Sequence, residues 1–187
     1  LYVGIIAQSA GPNYVISSLQ RDFTGTQNDN VTLMFDTFKD GNIAFAFGVT
    51  PYGVQREVLV SGGGAQISGF NTSWDVKWTA ETKRYDDHYV VEMAIPFYSL
   101  KFIEGDNTWR FRAYRFDIQS NERSTWVRVP QNQLLSNLAY MGTLEFEEPL
   151  GKPAFPFSFI PYAAYAGVRD EGATGFTGVR NVGLDAK

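Results

Sequence analysis

The chain has 187 residues, which is enough for one domain of ordinary size and an appendage. Its net charge of -4, with no basic stripe on any segment, gives no electrostatic basis for binding nucleic acid. The absence of cysteine excludes disulfides and cysteine-based metal or nucleophile sites, and a single histidine excludes a multi-histidine metal site. Aromatic residues make up 16% of the chain, so large rings are available for a core and for stacking on ligands.

Alternation of apolar and polar residues with period two predicts short strands along most of residues 1–145. The predicted strands are 1–8, 31–37, 42–49, 55–60, 73–81, 88–95, 109–117, 124–129 and 140–145. The residues Lys39-Asp40-Gly41-Asn42 predict a hairpin between two apolar runs, and the Gly-rich segment 61–71 predicts a long mobile loop. Many short strands with frequent turn signals predict an all-β, antiparallel β-sandwich over residues 1–147.

The strand around Trp109 places an arginine on an apolar face. Trp109, Phe111 and Ala113 share that face with Arg115. Because an unpaired buried charge is costly, Arg115 should either bind a ligand or pair with a carboxylate, for which Glu92 and Asp36 are the candidates. Arg112 has the opposite parity, which predicts a solvated side chain.

The character of the sequence changes after residue 147. Three prolines in residues 148–157 predict a semi-rigid linker. Two alternating segments follow, 158–168 and 174–187, separated by a charged turn at 169–172. Two strands and a turn are marginal alone, so they should belong to a larger sheet. The chain opens within what reads as a strand, and we expect it to be a piece of a longer protein.

Several residues could bind a ligand. Trp74 and Trp78 lie four residues apart on one predicted strand face, as a sugar platform requires, although Val76 on the same face fits a sandwich core equally. Trp126 adjoins a polar turn and is the better candidate for an exposed stacking ring. Arg115 could donate paired hydrogen bonds to sugar hydroxyls.

Acidic residues allow two further hypotheses. Hard oxygen ligands for calcium are present, but their spacing matches no known calcium loop and turn formation explains them equally. They are Asn28, Asp29, Asn30, Asp36 and Asp40. Glu92, Asp36 and Glu81 could hydrolyse a glycoside only if two of them faced each other across a groove, and nothing in the sequence places them so.

Six segments together resemble a known family. In chain order they are NDNVTLMFDTF, TPYGVQRE, SWDVKWTAE, VVEMAIPFYSLKF, WRFRAYR and ERSTWV. Their order and spacing resemble the carbohydrate-binding module family 9-like domain, in the version that precedes an outer-membrane β-barrel in Gram-negative bacteria. The tail GLDAK, after the Pro-rich linker, resembles the start of such a barrel.

The resemblance implies a sandwich at 1–147 without its first strands, a linker at 148–157 and the first barrel strands at 158–187. It also implies a location in the cell outer membrane, sugar as the partner and, in some members, structural calcium, for which Asp29 and Asp36 are the candidates here. We therefore expect a non-catalytic glycan-binding module that uses Trp74, Trp126, Arg115 and Glu92, with no other cofactor. The alternative is a structural or protein-interaction domain of an outer-membrane complex, in which the tryptophans are buried.

Overall fold

The structure, a computed structural model, describes residues 1–152, 159–168 and 177–186. In these residues the chain forms strands that are joined by loops and short 3-10 helices, and it forms no α-helix. The strands are β1 Tyr2–Gln8, β2 Asn30–Asp36, β3 Ala44–Val49, β4 Gln55–Val60, β5 Phe70–Asn71, β6 Thr79–Arg84, β7 His88–Ala94, β8 Thr108–Asp117, β9 Glu122–Thr125, β10 Gly142–Glu145, β11 Phe159–Val168 and β12 Thr177–Ala186. They divide between two compact units, Leu1–Pro153 and Ala154–Lys187.

The first unit contains two antiparallel sheets. One has three strands in the order β1-β7-β6. The other has the order β10-β8-β2-β3-β4-β5, and β9 also pairs with β8. The central strand β2 aligns Leu33 with Phe47 of β3 and with Ala113 of β8. The all-β antiparallel architecture predicted from the strand pattern is therefore confirmed.

The two sheets enclose the main core. On β7 the alternate residues Tyr89, Val91 and Met93 are all buried. They belong to the same cluster as Trp109 of β8 and Phe47 of β3, so one core joins both sheets. Each buried ring or aliphatic side chain of this kind stabilises the fold by roughly 1.5–3 kcal/mol relative to exposure. The alternation in the sequence predicted this inner face correctly.

The outer face of the larger sheet is also covered. Every residue of β2 and β3 is buried, because the loops 61–70 and 130–141 lie over this face. The segment predicted as a long mobile loop contains two 3-10 turns, Gly62–Gly64 and Ile67–Gly69. The hydroxyl of Ser136 donates to the carbonyl of Gly64 at 2.8 Å and joins the two loops.

This cover corrects the prediction for Arg112. The residue has the predicted parity but is completely buried rather than solvated. Its Nη1 donates to the carbonyl of Leu135 in the covering loop. Parity predicts which side chains share a face of a strand, but it does not predict whether loops seal that face.

Three predicted strands have different bounds. The strand predicted at 73–81 begins only at Thr79, since the preceding carbonyls bond to side chains instead of a neighbouring strand. Ser99 Oγ donates to the carbonyl of Lys77 at 2.6 Å, and Gln55 Nε2 to that of Trp78 at 3.3 Å. The strand predicted at 124–129 occupies Glu122–Thr125 instead, and the last predicted strand begins at Gly142.

The second unit is a β-hairpin. Its strands β11 and β12 have ten residues each and pair antiparallel from Phe159–Ala186 to Val168–Thr177. The aromatic ring of Tyr162 lies over Gly183, where a Cβ would be too close to it. The predicted turn at 169–172 and residues 153–157 of the predicted linker lie outside the described residues.

Within the described residues, no helix has the length and apolar character needed to cross a membrane.

Candidate functional site

The four predicted ligand residues do not form one site. Trp126 and Arg115 line the same groove. Trp74 lies at the margin of the main core, and Glu92 is exposed on the outer face of the three-stranded sheet. The candidate site is therefore the groove beside Trp126, which we call the Trp126 groove.

The Trp126 groove runs between β1 and the strands β2, β8 and β9, and encloses about 490 Å³. This volume lies within the range of small-ligand sites, roughly 300–1,000 Å³. Its floor is apolar, with Ile5 and Leu33 among the lining residues. Polar groups on the lining come from Gln8, Ser124 and Arg115. The groove thus offers an apolar floor and a few polar contacts, which is typical of small-ligand sites.

The indole of Trp126 is 51% exposed, as its sequence context predicts. Its ring centroid lies 5.6 Å from that of Phe111. The ring also lies directly on β10 at Gly142, where a Cβ would be 2.6 Å from the indole Cζ3. Only glycine allows this approach, so one side of the ring is held by protein while half of its surface stays open to solvent.

The backbone around Trp126 explains why the ring is presented outward. The Trp126 N–H donates to the carbonyl of Ala113 at 2.9 Å, which continues the pairing of β9 with β8. Val127 then has φ of 72°, a left-handed conformation that is an outlier for a β-branched residue. Such a residue costs on the order of 1–3 kcal/mol, and such residues cluster at binding sites. The strand therefore ends at the point where it presents this ring.

Arg115 pairs within its own strand. Its Nη2 lies 2.8 Å from Asp117 Oδ2, and the side chain is 17% exposed. The predicted pairing with Glu92 or Asp36 is wrong. Residues two apart on one strand share a face, so Asp117 lies beside Arg115 on the same strand and pairs with it. The Arg115 guanidinium also lies 5.7 Å from the ring of Tyr89, and burial raises the pKa of that phenol. At the groove, Arg115 is a charge-compensated hydrogen-bond donor.

Trp74 and Trp78 both contact the core through Phe47, with centroid distances of 5.8 and 5.1 Å. Trp74 also packs on Phe45 at 5.2 Å and is half-buried. Trp78 is buried. The pair does not form an open platform, and the packing agrees with the alternative that this face is core.

Glu92 lies beside Glu81 on one sheet face. The two residues are directly opposite each other on β7 and β6, and both are exposed. Glycosidases place their carboxylates on either side of the scissile bond, across the bound sugar. Carboxylates that stand side by side on one face lack this arrangement. The geometry of the described residues therefore gives no support to glycoside hydrolysis.

The two calcium candidates lie at opposite ends of β2, and each accepts hydrogen bonds from protein donors. Asp29 accepts the backbone N–H groups of Val15 and Ile118, each at 2.5 Å. Asp36 accepts the N–H of Gly41 at 2.9 Å and lies 3.4 Å from Arg110. Among the described residues, no three acidic or histidine side chains are close enough to hold a metal ion. These carboxylates anchor loops and a turn.

Sequence analysis missed a buried carboxylate on β4. Glu57 is only 1% exposed and stands on the same face as Phe47, its partner on β3. Its Oε1 accepts from Arg21 Nη2 at 2.6 Å, and its Oε2 accepts from Trp78 Nε1 at 3.1 Å. Burial raises the pKa of Glu57, and the hydrogen bonds from Arg21 and Trp78 oppose that rise. Glu57 has the same parity on β4 as Leu59, which packs against the core, and this shared parity could have predicted that Glu57 is buried.

The sequence matches no protein-family model and no curated protein. The fold is similar to the crystal structure of a "putative carbohydrate-binding protein" from Bacteroides uniformis ATCC 8492. The TM-score is 0.55 at 12% sequence identity, over 78% of this chain and 71% of that chain. At this identity the likeness shows the fold alone. The chain has the all-β sandwich architecture of that protein.

Proposed function

We propose that the first unit binds carbohydrate in the Trp126 groove without cleaving bonds. The observation that carries this proposal is the half-exposed indole of Trp126, which Gly142 and Phe111 support from the protein side. A pyranose presents a patch of C–H groups that stacks on such a ring. Arg115 and Ser124 stand along the same groove and supply hydrogen bonds to the sugar hydroxyls.

Two further observations support the proposal. The fold resembles that of a protein described as carbohydrate-binding, and the segment order resembles family 9-like carbohydrate-binding modules. The groove also has the size and the mixed lining that a monosaccharide or disaccharide needs. Trp74 and Glu92 lie outside this groove, and a part for them in binding remains a prediction.

A glycan array followed by calorimetry tests the proposal. We expect Trp126→Ala to weaken binding about two- to tenfold, since loss of a stacking ring costs roughly 0.5–1.5 kcal/mol. Trp126→Phe, which keeps an aromatic face, should retain most of the affinity. Circular dichroism establishes that each variant is folded. Silence across the array from folded protein, or full affinity in Trp126→Ala, would refute sugar binding in this groove.

A second candidate function is protein interaction through β1. Among the described residues, no strand pairs with the outer edge of β1. This strand has seven residues with no charge and no proline, and its Tyr2 and Ile6 are 88% and 67% exposed. An open apolar edge is a template for strand addition. If Tyr2→Lys, which changes an exposed residue outside the lining of the Trp126 groove, abolishes association with another protein while sugar binding persists, this edge is the interaction surface.

We also propose that the hairpin β11–β12 contributes the first strands of an outer-membrane barrel, which would locate the protein in a Gram-negative outer membrane. The resemblance of the tail supports this, as does strand length, because a membrane strand needs about 9–11 residues. Tyr165, Val182 and Leu184 are exposed apolar side chains on one face of the hairpin, which lipid could cover. Fractionation of cells that express the native protein tests the location. Recovery in the soluble fraction would contradict it, and added protease would report which side the first unit faces.

Structural calcium, implied by the resemblance, also remains a prediction. If an ion stabilises the fold, removal with EDTA lowers the melting temperature and added calcium restores it. Equal melting temperatures in EDTA and in millimolar calcium would reject the prediction.

A further inference from the structure

A second groove lies at the opposite edge of the three-stranded sheet from the Trp126 groove. It encloses about 640 Å³, and its lining includes Arg21, Asp75, Lys77, Trp78 and Tyr98. The strand β6, whose Thr79 also lines it, is the edge opposite β1. We call it the Tyr98 groove.

Buried interactions fix one wall of the Tyr98 groove. Arg21 donates through Nε and Nη2 to the same oxygen of Glu57, at 3.1 and 2.6 Å. Its remaining nitrogen, Nη1, donates to Gln55 Oε1 at 3.0 Å. The indole N–H of Trp78 holds the other oxygen of Glu57. The guanidinium is therefore held in place on a buried carboxylate while 43% of the side chain remains exposed.

The backbone beside this wall is held equally firmly. The carbonyls of Lys77 and Trp78 accept hydrogen bonds from Ser99 and Gln55. This positions Asp75 at the rim, where its side chain is 84% exposed and lies 3.8 Å from Arg21. The side chains of Asp75 and Lys77 thus reach solvent from a segment whose carbonyls are tied to the core.

An open aromatic ring completes the groove. Tyr98 is 40% exposed, and Pro96 and Ala94 line the groove beside it. A ring next to small apolar residues can cover the C–H face of a sugar, while the charged rim bonds its hydroxyls. The groove therefore combines a stacking ring with a guanidinium held at one wall and with the exposed carboxylate of Asp75 and ammonium of Lys77 at the rim.

The charges of the groove select among ligand classes. Glu57 compensates Arg21, and Asp75 balances Lys77, so the lining carries no net charge toward an anion or a cation. A purely apolar ligand would displace water from the charged groups of Asp75 and Lys77 without bonding to them, which is costly. A neutral molecule with many hydroxyl groups needs no net charge in the groove and can form hydrogen bonds with its polar groups.

We propose that the Tyr98 groove is a second carbohydrate subsite, so that one chain holds two sugar units at opposite edges of one sheet. The ligand class rests on the proposed function, but the site does not involve Trp126 or Arg115. Two subsites on one domain raise the avidity for an extended or repetitive glycan without any new contact.

Nuclear magnetic resonance can test the two grooves separately. The chain has four tryptophans, so it gives four indole N–H signals, of which Trp78 reports the Tyr98 groove and Trp126 the other groove. The probes are maltotriose, cellotriose, mannotriose and xylotriose, each titrated to millimolar concentration. We expect at least one probe to shift both signals, with a stoichiometry of two in calorimetry.

Variants give the decisive outcomes. Tyr98→Ala should abolish the Trp78 shift and reduce the stoichiometry from two to one, and Tyr98→Phe should retain both. Tyr52→Ala is the matched control, because Tyr52 is 46% exposed and lines neither groove. If Tyr98→Ala leaves the Trp78 shift and the stoichiometry unchanged, or if no probe shifts the Trp78 signal, the second subsite is refuted. Failure of the proposed function is a separate result, in which Trp126→Ala changes nothing.

Discussion

Two buried charged groups lie on opposite faces of the larger sheet, and they differ in the partners that surround them. Glu57, on the inner face, accepts hydrogen bonds from Arg21 and Trp78. Arg112, on the outer face, donates to one carbonyl, and its Nε and Nη2 have no partner among the described residues. Burial lowers the pKa of Arg112 to about 10. The charge of Glu57 is therefore compensated by a partner, whereas the charge of Arg112 is buried without a compensating carboxylate.

The contrast teaches that burial by itself does not show what a charge contributes. The partners of Glu57 come from a loop and an adjoining segment, so this carboxylate connects three parts of the chain. Arg112 connects β8 only to the covering loop at Leu135. Loss of a partner should therefore be costly at Glu57, whereas loss of the charge itself should be cheap at Arg112.

The largest effect is expected for Arg21→Met. This change leaves the buried carboxylate of Glu57 without its cation, which should lower the free energy of unfolding by about 3 kcal/mol. Urea denaturation measures the change. The double variant Arg21→Met with Glu57→Met should recover most of the loss, since both charges are then gone. Equal instability of the single and double variants would contradict the pairing.

A smaller effect of opposite sign is expected for Arg112→Met. The substitution removes an uncompensated charge and retains an unbranched apolar chain, so the free energy of unfolding should stay constant or rise by about 1 kcal/mol. Arg110→Met, on the same face two residues earlier, is the control. Arg110 pairs with the buried Asp36, so its loss should destabilise. A large destabilisation in Arg112→Met would mean that the unpartnered nitrogens have a partner such as a bound water or anion.

The smallest effect concerns pH. Because burial raises the pKa of Glu57 above the usual value of 4.5, the folded state holds this proton more tightly than the unfolded state. The contribution of Glu57 to the free energy of unfolding should therefore rise as pH falls from neutral through the folded-state pKa toward 4.5. Wild type should gain stability relative to Glu57→Gln over that range in urea titrations. A constant difference, or a loss, would show that the hydrogen bonds from Arg21 and Trp78 dominate over burial.

The sequence predicted the inner face well because period-two alternation reports directly on burial. Trp109 is buried on the apolar face that the alternation indicates, and a hairpin follows β2 as predicted. The exposure of Trp126 also followed from its polar neighbours, although its part in binding remains a prediction.

The sequence could not predict contacts that depend on loop paths. Arg112 is buried by the loops 61–70 and 130–141, which carry no periodic signal. The glycine that supports Trp126 is on β10, which becomes its neighbour only through the pairing of Gly142 with Phe111. The Tyr98 groove likewise joins Arg21, Asp75 and Tyr98 from three separated segments. Alternation within one segment contains no information about contacts between segments that are far apart in the sequence.

The pairing of β1 with β7 has a consequence for synthesis on the ribosome. Tyr2 aligns with Ala94, so β1 leaves the ribosome well before its partner exists. At roughly 5–20 residues per second, the uncharged strand waits about 5–20 seconds for β7. During that interval its apolar residues, Ile5 and Ile6 among them, are open to chaperones and to other nascent chains. The rate of translation between residues 8 and 94 should therefore influence how much of this protein reaches the native state.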